Sequence, residues 1–233
     1  FTIEDTLDPS MDTSASDQTV ECDGAGNIDE FTVWLLSNGG ASASDECSSV
    51  SWTNDFEVTE EGQIVNAVID CGLFTGSLLV TFTATDECGN DTETSATFTV
   101  EDTTNPSMDT ASSDETVECD GSGNTAALTA WLDANGGASA SDVCSGVTWS
   151  NDFTALSDDC GATGSATVTF TATDDCNNAT STTSTFTIED TTNPSMDTAS
   201  SDETVECDGS GNTAALTAWL DANGGASASD VCS

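Results

Sequence analysis

The chain contains no lysine, arginine, histidine or tyrosine among its 233 residues. Against these absences stand 43 aspartates and glutamates and a formal net charge of −43 at pH 7. A typical soluble domain holds roughly 25% charged residues of both signs, so the omission is not a matter of chance. No carboxylate can be neutralised by a basic side chain, and self-repulsion of this size opposes compaction. Cations from solvent are therefore implied, as bound divalent ions, high salt or both. Direct binding to nucleic acid or to an anionic membrane is excluded, because phosphate recognition depends on Lys and Arg. Catalysis is excluded in its common forms: a Ser or Cys nucleophile would have no usual base. A glycosidase-type carboxylate pair is singled out at no position, and the chain is read as a non-enzyme. No run is long and apolar enough to span a membrane as a helix. Without His or any Cys-x-x-Cys pair, zinc is not a candidate. Disorder is the rival reading of so acidic a chain. Only 18% of residues are charged and 36% are hydrophobic, and the apolar positions alternate regularly, which argues for a fold.

What is present is repetition. Residues 101–145 recur letter for letter at 189–233, an offset of 88 residues. A looser copy opens at Asp8-Pro9-Ser10-Met11-Asp12, which matches Asn105-Pro106-Ser107-Met108-Asp109 at an offset of 97. The difference lies in Glu57–Thr75, where the first copy has nine extra residues. Phe1–Asp5 matches Phe98–Asp102 and Phe186–Asp190, and reads as the last strand of a preceding repeat. The expected organisation is repeat one over 6–102, repeat two over 103–190, and the first half of repeat three over 191–233. Such arrays are read by what one repeat does and what stacking achieves.

Within a repeat the strand signal dominates. In Ala166–Thr173 apolar residues alternate with Thr at period two, the mark of a half-buried strand. Leu78–Thr85 repeats the pattern, and Ala96–Val100 and Thr183–Ile188 form the second arm of a final hairpin. Val50-Ser51-Trp52 and Val147-Thr148-Trp149 read as a central strand carrying a core Trp, and Met108–Cys119 as an opening strand kinked at Ser112-Ser113-Asp114. One segment breaks this rhythm: Leu128, Trp131 and Leu132 lie at helical spacing, with Asn124 as N-cap and Gly136 as stop. A helix of that length does not persist alone in water, so Trp131 is expected to anchor it to the sheets. The pattern is mainly β: tandem immunoglobulin-like β-sandwich repeats, six to eight short strands each, with one short inserted helix.

Thr116-Val117-Glu118-Cys119-Asp120, Ala140–Cys144, Thr171–Cys176 and Phe186–Pro194 carry a family likeness across the whole chain. They resemble HYR-type immunoglobulin-like repeats, as found in very large secreted surface proteins of Bacteroidota, including gliding-motility adhesins. The resemblance implies an extracellular, cell-surface filament or adhesin stalk. The inserted helix and the absence of Lys depart from the generic pattern. It also makes Thr103, Thr110, Thr191 and Thr198 candidate O-glycosylation sites, against plain turn chemistry. Asn90-Asp91-Thr92 and Asn178-Ala179-Thr180 match the N-glycosylation acceptor.

Ten cysteines point to an oxidising compartment. Four per repeat permit three connectivities. In an immunoglobulin-like topology the loops of Cys144 and Cys176 share one pole, with Cys119 and Cys160 toward the other. First-with-third and second-with-fourth pairing is expected: Cys22–Cys71, Cys47–Cys88, Cys119–Cys160 and Cys144–Cys176. Cys207 and Cys232 then lack partners.

At the pole where one repeat enters the next, carboxylates should converge: Glu101 and Asp102 from the linker, Asp142 before Cys144 and Asp174 before Cys176. Glu4, Asp5, Asp45 and Asp86 are the equivalents before repeat one, and Glu189, Asp190 and Asp230 before repeat three. Calcium takes six to eight oxygens of this kind, so structural Ca2+ is the expected cofactor, against the reading of these residues as solvated turns. Asp120-Gly121-Ser122-Gly123-Asn124 is a second candidate loop. The expected partners are neighbouring repeats, other copies in a filament, and surface glycans. The glycan alternative would use the outward rows Thr167, Thr169, Thr171, Thr173, Thr185 and Thr187 as a flat binding face.

Overall fold

The computed structural model of the chain describes residues 1–57, 67–71 and 75–232, with Ala67–Ile69 described by its backbone. Most of the Glu57–Thr75 insertion therefore lies outside the described residues. The first repeat runs β1 (Ser10–Thr13), β2 (Gln18–Glu21), α1 (Ile28–Leu36), β3 (Ser42–Ser44), β4 (Ser51–Asn54), β5 (Ala67–Ile69), β6 (Gly76–Thr85) and β7 (Asp91–Glu101). The second runs β8 (Ser107–Thr110), β9 (Glu115–Glu118), α2 (Thr125–Asp133), β10 (Ser139–Ser141), β11 (Val147–Asn151), β12 (Gly164–Asp174) and β13 (Ala179–Glu189). Then follow β14 (Ser195–Thr198), α3 (Thr213–Asp221) and β15 (Ser227–Ser229).

The first two repeats are mainly β, immunoglobulin-like sandwiches, each with one helix. In the first, β1 pairs with β3 in a small sheet, while the larger sheet has the order β2-β7-β6-β4 with β5 also on β6. The kinked opening strand is thus two strands in different sheets, β1 in one and β2 in the other. β2 joins β7 in parallel, with Gln18 opposite Phe98 and Glu21 opposite Glu101. The second repeat follows the same plan, with β10-β8 and β11-β12-β13-β9.

By contacts the chain divides into two compact units that do not follow the repeat boundaries. One comprises Phe1–Met108 with Ala140–Trp149 and Ala172–Thr180; the other comprises Asp109–Ser139, Ser150–Thr171 and Ser181–Ser233. The core of the first is built from the alternate residues Leu78, Val80 and Phe82 of β6 and Ala96 and Phe98 of β7, closed by Trp34 of α1. The intervening Thr side chains point outward, as period two requires. In the second unit Val168, Phe170, Phe186 and Ile188 are fully or almost fully buried. Trp131 stands edge-on to Phe170 at 5.1 Å between ring centroids. Its indole N–H donates to the Ser113 carbonyl at 3.2 Å, so the helix anchor predicted from spacing is a satisfied core Trp.

Two local expectations are corrected. Trp52 and Trp149 are half-buried on β4 and β11, which are edge strands of their sheets. The buried Trp of the first two repeats is the helical one, Trp34 or Trp131, while Trp52 packs against the β6–β7 core from its edge. Asn124 makes no side-chain cap to α2 and itself sits in the left-handed region at φ 48°. Its amide instead ties the loop down, accepting from the Asp120 N–H at 3.1 Å and donating to the Glu118 carbonyl at 2.8 Å.

The helix ends at Asp133 with Ala134 as its C-cap, and Gly136 lies in the 3-10 turn Asn135–Gly137 that follows. Gly136 has φ +64°, and a Cβ there would lie 2.9 Å from the Phe170 ring and 3.0 Å from both Ser112 Cβ and Ser184 Oγ. Gly123, at φ +81°, has nothing within 4 Å. Gly136→Ala combines left-handed strain with overpacking, each on the order of 1–3 kcal/mol. Gly123→Ala carries the backbone term alone. Urea denaturation should show the first clearly less stable than the second, and equal midpoints would contradict this packing.

Candidate metal centre

The linker between the first two repeats is held by a residue that sequence reasoning missed. Glu21, at the end of β2, accepts the Thr103 N–H and hydroxyl at 2.8 Å each and the Thr104 hydroxyl at 2.7 Å. The Thr104 hydroxyl and the Thr103 N–H together hold the Glu21 carboxyl below its usual value. Glu118 grips Thr191 and Thr192 in the same way. Thr103 and Thr191 are therefore occupied in turn chemistry, whereas Thr110 and Thr198 lie exposed at strand ends.

This grip orients Asp102. Its side chain is 7% exposed, and its Oδ2 is buried without a hydrogen-bond partner. Three carboxylates meet there: one oxygen each from Asp102, Asp142 and Asp174 lies within 4.8 Å of the others. Asp142 is aimed by the Cys144 and Ser145 N–H groups, which donate to its Oδ1 at 2.8 and 3.1 Å. Asp174 is 4% exposed and is aimed by Asn178, whose backbone N–H reaches Oδ1 at 2.8 Å and whose amide reaches Oδ2 at 2.9 Å. The same amide donates to the Asp102 carbonyl at 3.0 Å. Asn178, whose triplet matches the N-glycosylation acceptor, joins two of the acidic residues as a clamp. The signal was the spacing Asp174-x-x-x-Asn178, which recurs at Asp86 and Asn90.

Burial pushes the Asp102 carboxyl above its ordinary range, and the nearby charges of Asp142, Asp174 and Glu21 add to the shift. Three clustered carboxylates with no basic residue anywhere in the chain could hold a cation. Calcium–oxygen bonds of 2.3–2.6 Å let one ion join oxygens up to roughly 5 Å apart, which this trio meets. Ligand carboxylates aimed by N–H donors are the normal second layer of a metal site. The residues fit calcium.

The other two poles fit less completely. Asp5 and Asp45 come together with Cys47, and Asp190 and Asp230 with Cys232. Asp5 Oδ2 is buried and unpartnered like its counterpart in Asp102. Asp86, expected in the Asp5 set, is clamped by Asn90 at 2.8 Å but is not part of that trio. The negative charge of Asp5, followed by burial, pushes the Cys47 thiol up. Glu4, Glu101 and Glu189, also expected as ligands, join none of the three clusters. Successive side chains of an extended chain point to opposite faces, so only the Asp of each Glu-Asp pair turns inward. In the Asp120–Asn124 loop, Asp120 Oδ1 accepts the Ser122 and Asn124 N–H groups at 2.7 and 3.0 Å, and Asp120 joins none of the three clusters.

The disulfides differ from expectation. The structure pairs Cys22 with Cys144, Cys71 with Cys176 and Cys119 with Cys232, in place of Cys22–Cys71, Cys47–Cys88, Cys119–Cys160 and Cys144–Cys176. Cys47, Cys88, Cys160 and Cys207 are free and exposed. Cys144 and Cys176 do lie in loops of the same compact unit. Their sulfurs meet cysteines of the preceding repeat, however, so the bonds run across the repeat boundary. Two of these bonds flank the Asp102 cluster, which shares its loops with Cys144 and Cys176.

No family model matches the chain, and no curated protein matches it. Among solved structures, N-cadherin domains EC1–4 of Drosophila align with 79% of this chain at 13% identity and a TM-score of 0.31. Human protocadherin-24 EC1–2 aligns with 80% of this chain and 100% of its own length, at 13% identity and a TM-score of 0.31. Mouse cadherin-23 EC22–24 aligns with 81% of this chain and 69% of its own, at 13% identity and a TM-score of 0.30. The chain spans 50% of the N-cadherin fragment.

Asp102→Asn tests the site through a change of sign. A carboxyl whose folded pKa is raised destabilises the fold at pH values above that pKa. The penalty vanishes below the unfolded value, ordinarily near 3.8. With chelator at pH 7, Asp102→Asn should therefore melt higher than the parent chain, and the gap should close as pH falls toward 4. With millimolar calcium the order should reverse, because the variant loses a ligand. A variant that melts lower under both conditions would show that Asp102 is only a structural turn residue.

Proposed function

We propose that the chain is part of an extracellular filament or adhesin stalk, a structural repeat array whose joints are stiffened by calcium and locked by disulfides. The observation that carries this reading is Asp102, which has a buried, unpartnered Oδ2 and clusters with Asp142 and Asp174 at a boundary bridged by two disulfides. A pole so built resists bending in two independent ways. Covalent bonds fix the two sides together, and an ion would screen the three carboxylates that otherwise repel each other. The disulfides themselves favour an oxidising, extracytoplasmic compartment. Among the described residues no helix is long and apolar enough to cross a membrane. HYR-type surface repeats are the family this reading fits.

The outward Thr rows do not favour a glycan face. Thr167 and Thr185 hydrogen-bond to one another across the strands at 3.1 Å, which is ordinary cross-strand pairing.

Extracellular modules hold calcium with dissociation constants around 10⁻⁴–10⁻³ M, and an ion at 100 times that constant stabilises the fold by about 2.7 kcal/mol per site. Calcium added to chelator-treated chain should raise the melting temperature and narrow the distribution of end-to-end lengths measured by small-angle scattering. Magnesium at equal concentration should do less, since its shorter bonds demand a tighter cage. If calcium alters neither quantity, the reading fails.

A further inference from the structure

The disulfides obey one register. Numbering the cysteines of a repeat in chain order, Cys22–Cys144 joins the first of one repeat to the second of the next, and Cys119–Cys232 does the same one repeat later. Their Cα separations are 6.2 and 6.1 Å, and their sequence separations of 122 and 113 residues differ by the insertion in repeat one. The surrounding packing recurs as well. A Cβ on Gly24 would strike Val143 at 2.7 Å, and one on Gly121 would strike Val231 at 2.5 Å. Cys71–Cys176 adds a second rule, third to fourth. The Cys160 loop already meets its neighbour, with the Ala162 N–H donating to the Cys232 carbonyl at 3.0 Å.

Under these two rules each free cysteine is accounted for. Cys47 and Cys88 are a second and a fourth, whose partners would be the first and third of a repeat on the N-terminal side. Cys207 and Cys160 are a first and a third, whose partners would be the second and fourth of a repeat on the C-terminal side. Cys47 and Cys88 both remain free.

We propose that Cys47 with Cys88, and Cys207 with Cys160, are the two open halves of a two-disulfide staple, each shaped to receive a further repeat of this same kind. Closure is thiol–disulfide exchange with a small-molecule disulfide such as oxidised glutathione. One cysteine thiolate attacks a glutathione sulfur and expels a glutathione thiolate; the partner thiolate then attacks the mixed disulfide and expels the second. Each staple bond forms from two thiols and reduces one oxidised glutathione to two glutathione thiols. The proposal does not use the calcium reading, because it rests on the disulfide register and the packing around it.

The test begins with the chain itself, alkylated without reduction and cleaved at Asp, since trypsin has no site. Alkyl groups are expected on Cys47, Cys88, Cys160 and Cys207 and on no other cysteine. A Cys47–Cys88 crosslink would overturn the proposal. The chain is then extended beyond Ser233 by a 15N-labelled copy of residues 146–233 and refolded in a glutathione redox buffer. Cys160 should crosslink to the labelled copy of Cys176, and Cys207 to the labelled copy of Cys232. Alkylation of Cys160 and Cys207 should fall from complete to background, while the total of free thiols stays at four. Pairing of Cys160 with unlabelled Cys176, or unchanged alkylation of both residues in a chain that retains the three original disulfides, overturns it. Cys207→Ser in the extended chain separates misfolding from mispairing. It should free the labelled copy of Cys232 and leave the Cys160 crosslink intact; loss of both would overturn the assigned register.

Discussion

The constraint on which the rest depends is the absence of any basic side chain. In most domains a buried or crowded carboxylate is offset by Arg or Lys. Here each must be satisfied by N–H and hydroxyl donors or by ions from solvent. The chain uses donors wherever it can. Glu21 and Glu118 hold threonine pairs, and Asp120 and Asp208 are wrapped by their own loop amides, which lower their pKa. The buried carboxyl that this strategy leaves raised is Asp102, at a repeat boundary. An isolated buried charge is costly enough that a group normally neutralises instead, so a cation at this point would turn a liability into a joint.

Much of the fold was legible because period-two alternation records which face is buried, and Val80, Phe82, Val168 and Phe170 lie where it places them. The helix was legible from Leu128 and Trp131 for the same reason. Strand identity was less so, and the repeat supplies its own control. Glu115-Thr116-Val117-Glu118 is a strand because β13 runs beside it in parallel. The identical Glu203–Glu206 has no such neighbour among the described residues and is not a strand. Leu128 is 7% exposed while its copy Leu216 is 53% exposed. Identical letters give different burial because packing is a property of two partners.

The same limit explains the misread site. The poles could be sorted from topology, which brought Asp102, Asp142 and Asp174 together correctly. Which side chain of Glu101-Asp102 faces inward depends on backbone geometry at the strand end, which residue types alone do not encode. The cysteine pairing was beyond reach for another reason. Loops at one pole of a sandwich are equally able to bond within the repeat or across to the next, and spacing does not distinguish these outcomes.

Stability does not account for the cross-repeat choice. In the chain-entropy model, replacing a Cys22–Cys71 loop by the longer Cys22–Cys144 loop adds only about 0.8 kcal/mol. The effect on tension is much larger. Between Cys22 and Cys232 the shortest covalent route crosses to Cys144, returns along the backbone to Cys119 and crosses again. A pulled repeat therefore extends through the 25 residues between Cys119 and Cys144, roughly 90 Å when taut, where its full 88 residues would give roughly 300 Å. Those 25 residues hold the Asp120–Asn124 loop, α2 and β10. The helix that interrupts the β pattern lies on the load path, with Trp131 fastening it to the Phe170 and Phe186 face. Extension would have to pull that indole out of the core before it could lengthen the chain.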